Sequence, residues 1–162
     1  MFEQLIHNLI KKFKVLILTF LLFLITFSGI ISFLRKNNVN KAATSPDHKD
    51  LRLRTRIYNS EADLVHICQR IGNIIPQLTN YGLNWKLIVS ECQPGFDEQI
   101  TLLAEVPVFF YTDDMEVKLQ PGRIAGTFKV DIFSSSRVGK SDLGENKRNI
   151  LNLLKVLDRE FD

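Results

Sequence analysis

The chain has 162 residues and a formal charge of +3, from 21 basic and 18 acidic side chains. Three of the lysines and one of the acids precede Arg35, so the part from Arg35 onward carries 18 basic and 17 acidic residues and is close to neutral. That balance excludes a general nucleic-acid binder, which needs a strong basic excess, and the length left allows one domain with a single ordinary core. Cys68 and Cys92 are the only cysteines. Two thiols make neither a zinc site nor a disulfide framework. They could pair if the domain is exported; the preferred expectation is two small, buried, apolar side chains.

Residues 1–14 place Phe2, Leu5, Ile6, Leu9, Ile10 and Phe13 at helical spacing, a short amphipathic tail suited to a membrane surface. Residues 15–34, VLILTFLLFLITFSGIISFL, carry no charge, and fifteen of the twenty are Leu, Ile, Val or Phe. A helix of that length spans about 30 Å, the hydrocarbon thickness of a bilayer. A core helix would keep a polar face, and a signal peptide would have a shorter apolar run ending at small residues. The expectation is one uncleaved transmembrane helix that makes the membrane the first partner. Three lysines precede it (Lys11, Lys12, Lys14), and Arg35, Lys36 and Lys41 follow it, so the positive-inside rule does not choose an orientation. The short tail suits a signal anchor that carries the domain to the extracytoplasmic side. Residues 35–50 are polar and read as a tether.

Residues 51–162 read as an α+β domain. Leu51, Leu53, Thr55 and Ile57 alternate with Arg52, Arg54 and Arg56, which predicts a half-buried strand over 51–58 with a basic outer stripe that could meet anionic lipid. A solvated strand face is the plainer reading of that stripe. Ser60 and Asp63 then open a helix whose buried face is Leu64, Ile67, Cys68, Ile71, Ile75 and Leu78, leaving His66 in solvent. Pro76 and Gly82 end it. Four strand-like runs follow, with Trp85, Leu87 and Val89, then Ile100 to Val106, then Met115, Val117 and Leu119, then Phe128, Val130 and Ile132 facing inward; Pro107 interrupts the second. Short turns favour antiparallel hairpins. Asp142 and Glu145 form a capping box for a last helix with Leu143, Ile150, Leu153, Leu154, Leu157 and Phe161 inside. The expected order is β-α-β-β-β-β-α, an antiparallel sheet of about five strands with two amphipathic helices on one face.

Two stretches concentrate polar residues. One holds Asp113, Asp114 and Glu116; the other holds Ser134, Ser136, Arg137, Ser141, Asp142, Asn146 and Arg148. Gly139, Lys140 and Ser141 imitate the end of a phosphate loop, but the glycine required five residues earlier is Ser134, which excludes that motif and nucleotide hydrolysis. A serine-rich loop leading into a helix amino terminus, with Arg137 and Lys140 beside it, suits a small anionic ligand. The plainer and preferred reading pairs Arg137 with Asp113 or Asp114 and gives Asp142 a capping role. In a strand Asp114 and Glu116 share a face and Asp113 does not, so three carboxylates do not converge on a metal. A Ser-His-Asp triad would need His66 or His48, neither well placed. No catalytic set, metal or other cofactor is assigned.

The same stretches resemble the family called domain of unknown function 1499. Its signature is an aromatic, any residue, Asp-Asp, any residue and Glu, then Ser-x-Ser-Arg-Val-Gly-x-Ser-Asp-Leu-Gly-x-Asn-x-x-Arg. It reads here as Tyr111, Asp113, Asp114 and Glu116, then Ser134, Ser136, Arg137, Val138, Gly139, Ser141, Asp142, Leu143, Gly144 and Asn146, with Arg148 in the closing basic stretch. Phe133 stands where the family usually has arginine, and Tyr111 where it has phenylalanine. The resemblance implies an exported or membrane-associated protein and carries over no reaction. The combined expectation is a membrane-anchored, non-catalytic binding or assembly module, with a protein partner in the membrane. The alternative is a small-ligand or anion-binding protein, or a small enzyme, using the polar cluster.

Overall fold

The computed structural model describes residues 12–20, 40–94, 98–109, 111–138 and 142–162. The chain divides into two units, Met1–Asn38 and Val39–Asp162. In the first, residues 12–20 are helical with exposed side chains. Among the described residues no helix is long and apolar enough to cross a membrane. The rest of the expected span, 21–34, and most of the expected tail lie outside the described residues.

The second unit is α+β. Strands β5 (Lys86–Val89), β6 (Ile100–Val108), β7 (Tyr111–Pro121) and β8 (Thr127–Ser136) form an antiparallel meander. The outer edge of β8 is shared by two short strands, β1 (Lys41–Ala43) and β2 (Arg56–Asn59), which completes a six-stranded sheet. A separate two-stranded ribbon, β3 (Thr79–Asn80) with β4 (Leu83–Asn84), precedes β5. Helices α1 (Leu64–Ile74) and α2 (Glu145–Phe161) cover one face.

Strict two-residue alternation sets that face, because successive strand side chains point to opposite sides. Ile100, Leu102, Ala104 and Val106 of β6, Met115, Val117 and Leu119 of β7, and Phe128, Val130 and Ile132 of β8 are all buried. They meet Ile67, Cys68, Ile71 and Ile75 beneath α1 and Ile150, Leu153, Leu154 and Leu157 of α2 in one core. Pro107 does not interrupt β6; it pairs with Thr112 near the hairpin turn, where a missing N–H costs little.

Several local expectations are corrected. Residues 51–58 are not one strand. Asp50 accepts a hydrogen bond from the Arg52 backbone N–H and caps a 3-10 turn at Leu51–Leu53, so the strand is confined to Arg56–Asn59. The inward set also slips by one residue, with Tyr58 buried and Ile57 66% exposed. An aromatic cluster decides this register. The Tyr58 ring lies 5.4 Å from Phe128 and 5.6 Å from Phe161, and its hydroxyl donates to Asp158 Oδ1 at 2.6 Å. Burial and the neighbouring Asp158 carboxylate push the Tyr58 phenol above its ordinary range, so it stays a donor. The basic stripe dissolves with the strand, since Arg52 pairs with Asp50 and Arg56 with Asp158.

The segment read as a tether carries β1, whose Ala42 lies opposite Ser134, and Thr44 is buried behind it. Helix α1 begins at Leu64, with Asp63 itself as the cap that accepts from the His66 N–H at 2.8 Å. Leu143, expected in the stripe of α2, is 54% exposed, because the chain turns through left-handed Leu143 and Gly144 before the helix starts.

Cys68 and Cys92 are joined by a disulfide, in place of the two unpaired thiols preferred from the sequence. The bond ties α1 to the segment after β5 and closes 24 residues. A loop of that length restricts the unfolded chain by about 3 kcal/mol. The double variant Cys68→Ser/Cys92→Ser is therefore expected to lose about 3 kcal/mol in denaturant unfolding, and reduction of the unmodified chain should reproduce most of that loss.

Candidate functional site

The inner face of the sheet changes character at one end. Continuing the alternation of β7 back past Met115 gives Asp113, and continuing β8 past Ile132 gives Ser134 and then Ser136. Asp113 lies opposite Ser136, and Met115 opposite Ser134. Asp113 and Ser134 are completely buried. A polar inner face needs a polar cover, which Asp142 and the first turns of α2 provide, the latter through the buried residues Glu145, Asn146 and Asn149.

Asn146 is the hub of this network. Its Oδ1 accepts from Ser134 Oγ at 2.6 Å. Its Nδ2 donates to Ser136 Oγ at 2.9 Å and to the Asn40 carbonyl at 3.3 Å, so β8, the start of β1 and α2 meet at one side chain. Asp142 accepts from the backbone N–H of Asn146 at 2.7 Å and of Gly144 at 3.0 Å. A carboxylate at this helix end satisfies free amides and faces the positive end of the dipole. The capping role expected of Asp142 is thus present, without the expected helix start. Tyr81 donates to Glu145 Oε1 at 3.2 Å, and Arg148 pairs with the same carboxylate. Beside them a polar hollow of 280 Å³ is lined by Tyr81, Glu145, Arg148 and Asn149.

Asp113 is the exception to this mutual satisfaction. Its Oδ2 accepts from Asn149 Nδ2 at 3.2 Å, while Asn149 Oδ1 accepts from Asn80 at 2.7 Å. Its Oδ1 is buried without a hydrogen-bond partner. Burial pushes the Asp113 carboxyl above its ordinary value; the Ser136 hydroxyl opposes this, and the charges of Asp142 and Asp114 add to it. Burial likewise raises the Tyr111 phenol, with Asp113 as the next cause.

The other half of the sequence-level cluster lies on the opposite face. Asp114 and Glu116 point outward, as strand geometry requires. Arg137 donates through Nε and Nη2 to Asp114 Oδ1 at 2.9 and 2.6 Å, and through Nη2 to Glu105 Oε1 at 2.8 Å. Glu116 pairs with Lys118 at 3.3 Å. Asp113 therefore has no Arg137 beside it. Ser141, with Gly139 and Lys140, lies outside the described residues. Among the described residues no group of three or more His, Cys, Asp or Glu side chains is placed to hold a metal. His66 is exposed against Asp63, and the His48 ring meets the Asp50 backbone, so neither approaches a serine of the cluster.

Sequence reasoning missed Asn149, Asn80, Tyr81 and Glu105, and gave Glu145 only a capping role. Asn146 and Asn149 did leave a signal. They are one helical turn apart on the stripe that continues as Ile150 and Leu153, where a buried polar residue marks a polar surface opposite.

The sequence profile of the family described as "Protein of unknown function (DUF1499)" matches residues 34–157. The chain belongs to this family. Compared with curated proteins and with solved structures, it has no match. The DUF1499 match takes in β1 to β8, α1 and most of α2, so the polar inner end and the outer Arg137 cluster both lie within it.

Two outcomes follow. Asp113 binds its proton more tightly in the native state than in the unfolded chain, so native stability falls as pH rises from the ordinary value of 3.8 toward the raised one. Asp113→Asn, which keeps the shape and removes the charge, should be more stable than the parent at neutral pH. The gain should vanish below that value in a series of thermal melts against pH. Arg137→Ala removes only an exposed pair of ion contacts, and its melting midpoint should stay close to that of the parent.

Proposed function

We propose that this DUF1499 protein is a membrane-tethered binding or assembly module without catalysis, its folded unit held on the extracytoplasmic side. The observation that carries the reading is the Cys68–Cys92 disulfide. Such bonds persist in oxidising compartments and are rare where thiols are kept reduced. The uncharged run at 15–34 supplies the membrane anchor, with a length matched to a bilayer. Residues 40–50, read from the sequence as part of the tether, belong to the folded unit. The arrangement of the polar residues favours binding over catalysis. The inner set serves the α2 terminus, and the outer set pairs Arg137 with carboxylates. Among the described residues the His66 ring meets Asp63 and the His48 ring meets the Asp50 backbone, not a serine hydroxyl. The anion-docking alternative loses its principal cation for the same reason, because Arg137 is held by Asp114 and Glu105.

Cell fractionation of the full chain tests this reading. The chain should stay in the membrane pellet through alkaline carbonate extraction, and its cysteines should react with maleimide only after reduction. Release into the carbonate supernatant, or thiols that react without reduction, would contradict it.

A further inference from the structure

At the end of the sheet away from the polar cluster, β7 turns into β8 through residues 122–126. A groove of 780 Å³ opens beside this hairpin, reaching from Pro46 and Ile57 to Ile124. Ile57 and Ile124 project from it, 66% and 72% exposed. The lining includes Arg54, Arg123 and Lys129 and no carboxylate. Lys129 is neutralised by Asp131 at 2.6 Å. Arg54 reaches only the His48 carbonyl, at 3.5 Å, and Arg123 has no carboxylate partner among the described residues.

We propose that this groove docks the folded unit on the surface of a bilayer containing anionic lipid. Projecting aliphatic tips suit the boundary between headgroups and acyl chains, and unpaired guanidiniums suit the phosphates above it. An acidic protein would also neutralise Arg54 and Arg123. The tether proposed above, however, holds the folded unit beside lipid, which makes the bilayer surface the occupant. The lipid-facing role that the sequence spread over Arg52, Arg54 and Arg56 thus falls to Arg54 and Arg123, brought together by the fold. The inference rests on the tether above only for bringing the groove to lipid.

The test is hydrogen exchange of the full chain with nanodiscs of zwitterionic lipid or of a mixture with 30% anionic lipid. Anionic discs should slow exchange at residues 123–127 by up to about thirtyfold relative to zwitterionic discs, the limit that two surface cations set, and added salt should weaken the effect. Arg54→Glu/Arg123→Glu should abolish the difference while the core amides of β7 remain protected, which shows that the variant is folded. Equal exchange at the hairpin on both discs overturns the proposal. So does protection by soluble polyglutamate without protection by anionic discs, which would assign the groove to an acidic polypeptide. Co-elution with the discs reports the tether separately, and anionic discs in excess decide the groove whether or not the chain co-elutes.

Discussion

The two-residue alternation of β7 and β8 constrains everything else in the folded unit. It runs without a break from Leu119 to Asp113 and from Phe128 to Ser134, so one covered face holds an apolar stretch and then a polar one. Buried polar groups need partners, so the cover must change chemistry at the same level. Helix α2 does this along its own length, with Asn146 and Asn149 over Asp113, Ser134 and Ser136, and Ile150 to Leu157 over the hydrocarbon. Sheet and helix are thereby held in one register. A shift of α2 by one turn would place isoleucine over a carboxylate and asparagine over the core.

This register also accounts for the division of the charged residues. Adjacent positions on a strand face opposite ways, so Asp113 and Asp114 cannot share a site. Asp114 meets Arg137 and Glu105 in solvent. Asp113 is shut beneath α2 with one oxygen satisfied and one bare. A motif that is dense in sequence becomes two unrelated environments in space, one an exposed ion cluster and the other a buried network that fastens a helix end. A chemical role for this region therefore has to be argued for each environment separately.

Much of this was legible before any coordinates. The inward faces of β5 to β8 followed from alternation, the buried stripes of both helices from their 3.6-residue period, and the separation of Asp113 from Asp114 and Glu116 from strand geometry. The resemblance carried by Asp113, Asp114 and the Ser134–Asn146 stretch pointed to the family to which the chain belongs. What escaped depended on distant partners. Residues 51–58 alternate well enough for a strand, yet Asp158 and Phe161, a hundred residues on, select Tyr58 as the inward residue. Lys41–Ala43 has nothing strand-like in its composition and is extended because β8 offers it an open edge. The cysteine pairing needed α1 and the segment after β5 to be neighbours, which spacing alone does not reveal.

The account depends most on Asp113 as a buried carboxyl with no cation beside it, closed in by Asn149 and Ser136. Carboxyl-carbon NMR titration of the full chain in detergent micelles, with Asp113 assigned through the Asp113→Asn variant, reads this directly. The account requires Asp113 to titrate above the ordinary aspartate range. Titration of Asp113 within or below that range would mean that a positive charge or water reaches Oδ1, and the closed interface between α2 and the sheet would be wrong.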